Sequence, residues 1–223
     1  KGLEQKTTIF FTSDNGGIPS RISPLNGSKG SLYEGGIKVP AAAWGYGVKK
    51  SSDDCSEIVL GMDFYPTIIE LTGLSHDPSH KPDGISLVPH LRGTPSINRG
   101  NVFWHFPCYI GKGEPSSVIR NGRYKLIYFF EDKRSELYDL EKDPNEKNDL
   151  ANSKVQEKQR MENELFAWLK KTGAAVPSGP NPSYDPTAVS KGKKGKEGKG
   201  KKSEPGNKGS KEDEVKRKKK KQK

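Results

Sequence analysis

The residues best suited to chemistry lie directly after a short apolar segment near the start of the chain. Residues 8–12 are β-branched and aromatic, and Asp14 and Asn15 follow them. Such a run predicts a buried strand. The carboxylate and the amide would then stand at its C-terminal tip, the edge at which open α/β sheets bind ligands. Their oxygens are hard ligands of the kind that Ca²⁺ and Mg²⁺ prefer.

A lysine follows these two residues on a glycine-rich segment. Lys29 lies within residues 27–36, where a point cation is suited to hold an anion beside a metal. Asp14 and Asn15 alone would more often form a helix cap or an Asx turn. We interpret Glu34, in the same segment, as a structural residue that accepts backbone N–H bonds.

Both segments resemble the second half of a type I sulfatase, an arylsulfatase-like member of the alkaline phosphatase superfamily. The resemblance is carried by Asp-Asn-Gly-Gly at 14–17 and by Gly-Ser-Lys-Gly-Ser-Leu-Tyr-Glu-Gly-Gly at 27–36, and it continues in order to about residue 172. It implies that Asp14 and Asn15 bind Ca²⁺ (or Mg²⁺) and that Lys29 contacts a sulfate oxygen. The implied function is a sulfuric ester hydrolase, secreted or periplasmic, acting on a sulfated carbohydrate or an aryl sulfate.

The nucleophile of that family is not found in this sequence. The family uses a formylglycine made from the first residue of a Cys- or Ser-x-Pro-x-Arg motif, and neither Cys55 nor Cys108 lies in one. We expect the formylglycine, together with the paired aspartates that complete the metal site, in an N-terminal half that precedes Lys1. The chain on its own is then expected to be inactive and poorly folded.

A histidine in the second half of the chain is a further candidate for substrate binding. His105 stands between Trp104 and Phe106, and related carbohydrate sulfatases often carry a second histidine three residues on, where this chain has Cys108. That departure weakens the assignment. The alternative is a packed or hydrogen-bonded core histidine.

The pattern of elements predicts an α/β protein with three parts. Residues 1–100 would be the C-terminal part of the catalytic domain, the end of an alkaline-phosphatase-like mixed sheet sandwich. Residues 101–173 predict a small antiparallel sheet covered by one helix. Asn121-Gly122 would form a type I′ hairpin turn within it. An amphipathic helix would cover residues 153–172.

The third part, residues 174–223, predicts a linker and a disordered Lys-rich tail. Residues 191–223 carry the whole formal net charge of +11, and the rest of the chain has as many acidic as basic residues. So polar a segment cannot bury enough apolar surface to offset the entropy of ordering it. The tail is expected either to contact polyanions such as sulfated polysaccharide or to act only as a solubilising extension.

The sequence is also compatible with two other functions. The first is a polyanion-binding protein that uses the Lys-rich tail on a degenerate scaffold. The second is a phosphodiesterase or phosphonate hydrolase of the same superfamily, although its two-metal relatives usually place Asp-His where this chain has Asp14 and Asn15. No run of residues is long and apolar enough to cross a bilayer.

Overall fold

Two antiparallel sheets and a long C-terminal helix organise the chain. The computed structural model describes residues 2–49, 55–94, 97, 99–110, 113–179 and 181–184. The elements are β1 (Thr8–Thr12), α1 (Pro19–Ile22), α2 (Glu34–Ile37), β2 (Ala41–Gly45), α3 (Phe64–Thr72), α4 (Val88–Leu91), β3 (Val102–Phe106), β4 (Ser116–Asn121), β5 (Tyr124–Phe129), β6 (Ser135–Asp139) and α5 (Val155–Thr172), with 3₁₀ turns at Glu4–Lys6 and Gly61–Asp63.

The first sheet is a two-stranded ribbon in which β1 pairs antiparallel with β2. Its inner face is partly covered, because Phe10 packs edge-on against Phe64 of α3 with the ring centroids 5.5 Å apart and is half-buried. On the other face, Ile9 and Phe11 are 50% and 64% exposed. The prediction of a buried strand was therefore wrong for the described residues, since only one of its two faces is covered by them.

The second sheet is four-stranded, in the order β3-β4-β5-β6 with all neighbours antiparallel. Because side chains alternate across a strand, one face of the sheet presents apolar residues to α5. The core on this face comprises Ile119, Leu126, Leu137, Ala151, Met161, Leu165 and Leu169. The predicted small antiparallel sheet with one covering helix is confirmed.

The opposite face of this sheet packs against the glycine-rich segment that carries Lys29. Leu32 and Tyr33 of that segment lie on a second apolar cluster, formed by Val118, Ile127, Phe129 and Tyr138. The four-stranded sheet is thus covered by α5 on one side and by the segment around Lys29 on the other. The sheet therefore serves as the platform on which the candidate site is built.

The hairpin between β4 and β5 turns one residue later than the sequence predicts. Asn121 pairs with Tyr124, so Gly122 and Arg123 occupy the two central positions of the turn. Gly122 has a φ of 54°, and Arg123 is not among the residues with positive φ. A positive φ at the first central position alone matches a type II′ turn and not type I′.

Truncating the centre of α5 tests the packing of the helix-facing core. Leu165 is fully buried, so Leu165→Ala should lower the free energy of unfolding by about 2–5 kcal/mol through lost burial and the cavity left behind. Val155, on the same helix, is 62% exposed, and Val155→Ala should change it by less than about 0.5 kcal/mol. Chemical denaturation of the full-length protein measures both. Equal effects would contradict this packing.

The chain divides into two units by its backbone contacts, Lys1–Tyr184 and Asp185–Lys223. The predicted Lys-rich tail falls in the second unit and lies outside the described residues. The division of the first unit near residue 100 stays a prediction. In the part of the chain that is described, no helix is both long and apolar enough to cross a membrane.

Candidate functional site

Two backbone hydrogen bonds fasten the segment after β1 to the glycine-rich segment. The amide of Gly16 donates to the carbonyl oxygen of Gly36 over 2.9 Å, and the amide of Lys29 donates to the carbonyl oxygen of Gly17 over 2.9 Å. The residues that follow Asp14 and Asn15 are thereby held against the loop that carries Lys29. Segments that are separate in the sequence form one adjoining pair of loops at the tip of β1.

The two candidate metal ligands lie side by side on the first of these loops. The Asn15 side-chain amide donates to Asp14 Oδ1 over 2.9 Å, and the Ser13 hydroxyl donates to the Asn15 carbonyl oxygen over 3.1 Å. Asp14 is exposed and Asn15 half-buried. Asp14 Oδ2 and Asn15 Oδ1 accept no hydrogen bond from any residue within the described ranges, so both oxygens are available to a cation.

These two oxygens fit a hard divalent cation as part of a coordination sphere. Ca²⁺ takes six to eight oxygen ligands, and no group of three or more His, Cys, Asp or Glu side chains able to hold a metal occurs in the described part of the chain. Asp14 and Asn15 would therefore contribute a minority of the ligands. The remaining ligands would be water molecules, sulfate oxygens or residues beyond those described.

Lys29 is exposed on a loop whose backbone path is tightly constrained. Gly30 has a φ of 91°, a conformation that side chains rarely adopt. A Cβ on Gly30 would lie 2.9 Å from the Ile110 side chain. The loop thus leaves the Lys29 side chain exposed while fixing the backbone from which it projects.

Close packing of the two loops leaves no room for a side chain at Gly16. A Cβ there would lie 2.2 Å from the carbonyl oxygen of Gly35, so Gly16→Ala should separate the loops and lower the free energy of unfolding by about 1–3 kcal/mol. A Cβ on Gly61 meets nothing within 4 Å, and Gly61→Ala is the matched control. Thermal denaturation of the full-length protein distinguishes them, and equal shifts would refute the close contact.

A buried charge cluster lies beneath the Lys29 loop. Lys125 is fully buried on β5, and its Nζ lies 2.8 Å from Glu34 Oε1 and 2.8 Å from Glu146 Oε1. Glu146 Oε2 also accepts the backbone N–H of Glu34 over 2.7 Å. Among the described residues the Glu34 carboxylate accepts from the buried Lys125 and from no backbone N–H, so the expected backbone bonds are not found there, and Glu34 has a structural contact of another kind. Burial raises the pKa of Glu146, although Lys125 acts in the opposite direction.

A second polar contact fixes the same loop to the sheet. The Tyr33 hydroxyl donates to Glu136 Oε2 over 2.5 Å, and the Tyr138 hydroxyl donates to the same oxygen over 2.7 Å. Burial, followed by the charge of Glu136, raises the pKa of both tyrosines. Both phenols therefore stay neutral and donate to the carboxylate across the physiological pH range.

His105 occupies a packed position on β3. Its Nδ1 lies 2.6 Å from the Ser117 hydroxyl and its Nε2 lies 2.8 Å from the Ala175 carbonyl oxygen. Since a carbonyl oxygen only accepts, Nε2 carries the proton. The ring also meets Phe130 edge-on, with centroids 5.9 Å apart. None of these contacts joins it to Asp14 or Lys29. They match the packed, hydrogen-bonded histidine given as the alternative, and a role of His105 in substrate binding stays a prediction.

Sequence reasoning missed Lys125 and Glu146. Lys125 shares its face of β5 with Ile127 and Phe129, both of which are buried. A lysine inside an otherwise apolar and aromatic strand is the signal that indicated a buried cation. Glu146 gave no signal in the sequence, because it lies in a polar turn, where an acidic side chain is ordinarily exposed.

Comparison with known proteins decides the family. The family model for N-sulphoglucosamine sulphohydrolase, C-terminal, matches residues 28–173. The chain belongs to the type I sulfatase family, and it corresponds to the C-terminal portion. A sulfatase of Formosa agariphila is 36% identical over 191 residues, which are 78% of this chain and 34% of the relative.

Two solved structures resemble the sulfatase chain in fold as well as in sequence. One is the structure of BT4656 in complex with its substrate D-glucosamine-2-N,6-O-disulfate, with a TM-score of 0.59 and 25% identity over 75% of this chain and 34% of the other. The second is the phosphonate monoester hydrolase of Agrobacterium radiobacter, with a TM-score of 0.58 and 27% identity over 76% of this chain and 36% of the other. The chain spans about a third of the length of the curated relatives it matches.

Proposed function

We propose that this chain supplies the metal-binding and sulfate-binding residues of a sulfuric ester hydrolase that acts on a sulfated carbohydrate or an aryl sulfate. The observation that carries the proposal is the pair of hydrogen bonds from Gly16 to Gly36 and from Lys29 to Gly17, which set the loop of Asp14 and Asn15 against the loop of Lys29. A carboxylate, an amide oxygen and a cation on adjoining loops suit one site for a metal ion and an anion.

Each residue has a definite part in this proposal. Asp14 would hold Ca²⁺ with a charged oxygen and Asn15 with its side-chain carbonyl oxygen, and Lys29 would contact a sulfate oxygen. A bound divalent cation would neutralise charge on the sulfate oxygens as the ester bond breaks. Lys29 would stabilise the same oxygens from the other loop. Fixed positive charge of this kind lowers the activation barrier most where negative charge develops in the transition state.

The formylglycine nucleophile is proposed to lie outside this chain. The chain alone should then lack activity, and its exposed Ile9 and Phe11 should favour aggregation, because uncovered apolar patches promote association. An extracytoplasmic site of action, and contact of the Lys-rich tail with sulfated polysaccharide, belong to the same proposal. They rest on the family and on the charge of residues 191–223.

The runner-up is a phosphonate monoester hydrolase, which the likeness to the Agrobacterium radiobacter enzyme favours. Both reactions expel an oxygen leaving group from an anionic centre, so the fold alone does not distinguish them. The Asp14–Asn15 pair favours the sulfatase, because the two-metal relatives of the superfamily usually place Asp-His at this position. The substrate experiment below separates the two reactions.

The test compares hydrolysis of sulfate and phosphonate monoesters by the full-length enzyme. We expect kcat/KM to be higher for 4-nitrophenyl sulfate or a sulfated glucosamine than for a phenylphosphonate monoester. Lys29→Met should lower the value for the sulfate ester by about 10²-fold or more. Lys142→Met, which removes an exposed lysine, should leave it within about twofold. A preference for the phosphonate, or equal effects of the two variants, would contradict the proposal.

A further inference from the structure

The buried cluster of Glu34, Lys125 and Glu146 joins three segments that are far apart in the sequence. Glu34 begins α2 directly after the Lys29 loop, Lys125 lies on β5, and Glu146 lies in the turn before α5. Lys125 is fully buried, and Glu34 and Glu146 are only 5% and 3% exposed. The cluster therefore connects the four-stranded sheet with the loop that carries the sulfate-binding candidate.

Stability alone is a weak reason for such a cluster. Burying charges costs several kcal/mol per ion. Replacing a buried ion pair by well-packed apolar residues of similar size often leaves the stability of the protein unchanged or raises it. Two carboxylates face a single ammonium here, so the cluster carries an excess negative charge when all three groups are ionised. What charged, directional contacts do provide is a defined geometry for the segments that bear them.

A short and rigid path leads from the cluster to the candidate site. Gly36 lies only two residues after Glu34 within α2, and its carbonyl oxygen accepts the amide of Gly16, next to Asn15. A Cβ on Gly36 would lie 2.0 Å from the carbonyl oxygen of Ser31. Because these backbone segments are in close contact, a displacement of Glu34 would also displace the loop of Asp14 and Asn15 and the loop of Lys29.

A second connection runs along the other end of the same loop. The amide of Gly35 donates to the carbonyl oxygen of Asn26 over 2.7 Å, and the Asn26 side-chain amide donates to the Glu146 carbonyl oxygen over 3.4 Å. The loop from Asn26 to Gly36, which contains Lys29, is thus closed at its base by contacts that include Glu34 and Glu146.

We propose that Glu34, Lys125 and Glu146 are positioning residues that hold the Lys29 loop in register with Asp14 and Asn15. This inference rests on the proposed function for its catalytic consequence, but not for its structural one. Removing the contact between Glu34 and Lys125 should loosen the hydrogen bonds from Gly16 to Gly36 and from Lys29 to Gly17. The distance between the two loops would then no longer be fixed.

The test compares two variants of buried ion pairs in the full-length enzyme. Glu34→Gln weakens the cluster, whereas Asp63→Asn weakens the buried pair of Asp63 with Arg99. The other contacts of the Asp63 carboxylate, to the amides of Leu60 and Ile85, do not involve the loops. The readouts are the melting temperature, amide hydrogen exchange at Gly16 and Lys29, and kcat/KM for a sulfate ester.

We expect Glu34→Gln to raise exchange at the Gly16 and Lys29 amides by at least about tenfold and to lower kcat/KM by at least about tenfold. Asp63→Asn, at a comparable loss of melting temperature, should change each value by less than about twofold. Equal exchange at these amides in the two variants would overturn the inference. Should wild-type enzyme hydrolyse no sulfate ester, the proposed function fails, and the exchange measurement still decides the positioning role.

A second variant tests the same inference if Glu34→Gln fails to fold. Glu146→Gln removes the excess charge but keeps one side-chain acceptor near Lys125 and the Glu34 amide. It should raise exchange at the Gly16 and Lys29 amides by a smaller factor than Glu34→Gln. Failure of both variants to fold would also contradict the inference, because the cluster would then be required for folding and not for the register of the loops.

Discussion

Asp14→Ala should lower kcat/KM of the full-length enzyme for a sulfate ester by at least about 10²-fold, with loss of bound Ca²⁺. The Asp14 side chain is exposed, and its hydrogen bonds join only Ser13 and Asn15 among the described residues, so its removal should barely change stability. Activity should fall because the variant lacks a charged ligand for the cation and hence charge stabilisation at the sulfate oxygens. Steady-state kinetics and metal analysis of the purified enzyme measure both effects.

Asp77→Ala is the matched control for this result. Asp77 is also exposed, and its side chain accepts hydrogen bonds only from the amide and hydroxyl of Ser79 in the described part of the chain. Its replacement should leave kcat/KM and metal content within about twofold of the wild type. Metal content and kcat/KM that survive in Asp14→Ala would show that Asp14 forms a turn and binds no metal.

Lys125→Ala should lower the free energy of unfolding by about 3–5 kcal/mol. The substitution leaves the Glu34 and Glu146 carboxylates buried without a cation, and breaking a buried ion pair from one side has this cost. Arg160→Ala offers a contrast, because Arg160 pairs with Glu157 and Glu164 on the exposed side of α5. Exposed pairs contribute about 0–1 kcal/mol, so that variant should be close to the wild type in chemical denaturation.

A double variant separates charge from packing in the same cluster. Adding Glu146→Gln to Lys125→Ala removes one of the two uncompensated carboxylates. It should therefore recover part of the lost stability, although the cavity left by the lysine remains. Suppose instead that adding Glu146→Gln lowers the stability of Lys125→Ala as much as it lowers that of the wild type. Repulsion between the buried carboxylates is then not what destabilises Lys125→Ala.

The cluster also predicts a pH dependence of stability. Burial raises the pKa of Glu146 in the folded protein, so the folded state binds this proton more tightly than the unfolded state. Stability from Glu146 is then fully present below its unfolded pKa and is lost as the pH rises through its raised folded pKa. Glu146→Gln should flatten the stability curve from about pH 4 upwards, measured by denaturation at a series of pH values. An unchanged slope would contradict a raised pKa.

The local pattern of apolar and turn residues predicted much of the fold. The apolar residues of α5 recur at helical spacing, and Met161, Leu165 and Leu169 are buried as that spacing predicts. Val155, which the same spacing places in the stripe, is 62% exposed. The strands of the small sheet followed from alternation and turn residues. The hairpin shifted by one residue because register depends on pairing across the turn, which neighbouring sequence alone does not fix.

The burial of individual faces and the pairing of residues far apart in the chain could not be predicted from the sequence. The apolar run of β1 is typical of a buried strand, yet its exposure depends on what covers each face, and the described residues cover one. Lys125, Glu34 and Glu146 meet only through the fold, at sequence separations that no local pattern spans. The loops of Asp14 and Lys29 were recognised by family resemblance, whereas their contact through Gly16 and Gly36 required the structure.

The most direct test of a metal-dependent site at Asp14 and Asn15 is the rate of sulfate release from an aryl sulfate by the full-length enzyme before and after metal removal. We expect that chelation abolishes sulfate release, that Ca²⁺ restores it in the wild type, and that Ca²⁺ does not restore it in Asp14→Ala. Sulfate release that continues unchanged after complete metal removal would contradict a metal-dependent sulfatase site at Asp14, Asn15 and Lys29.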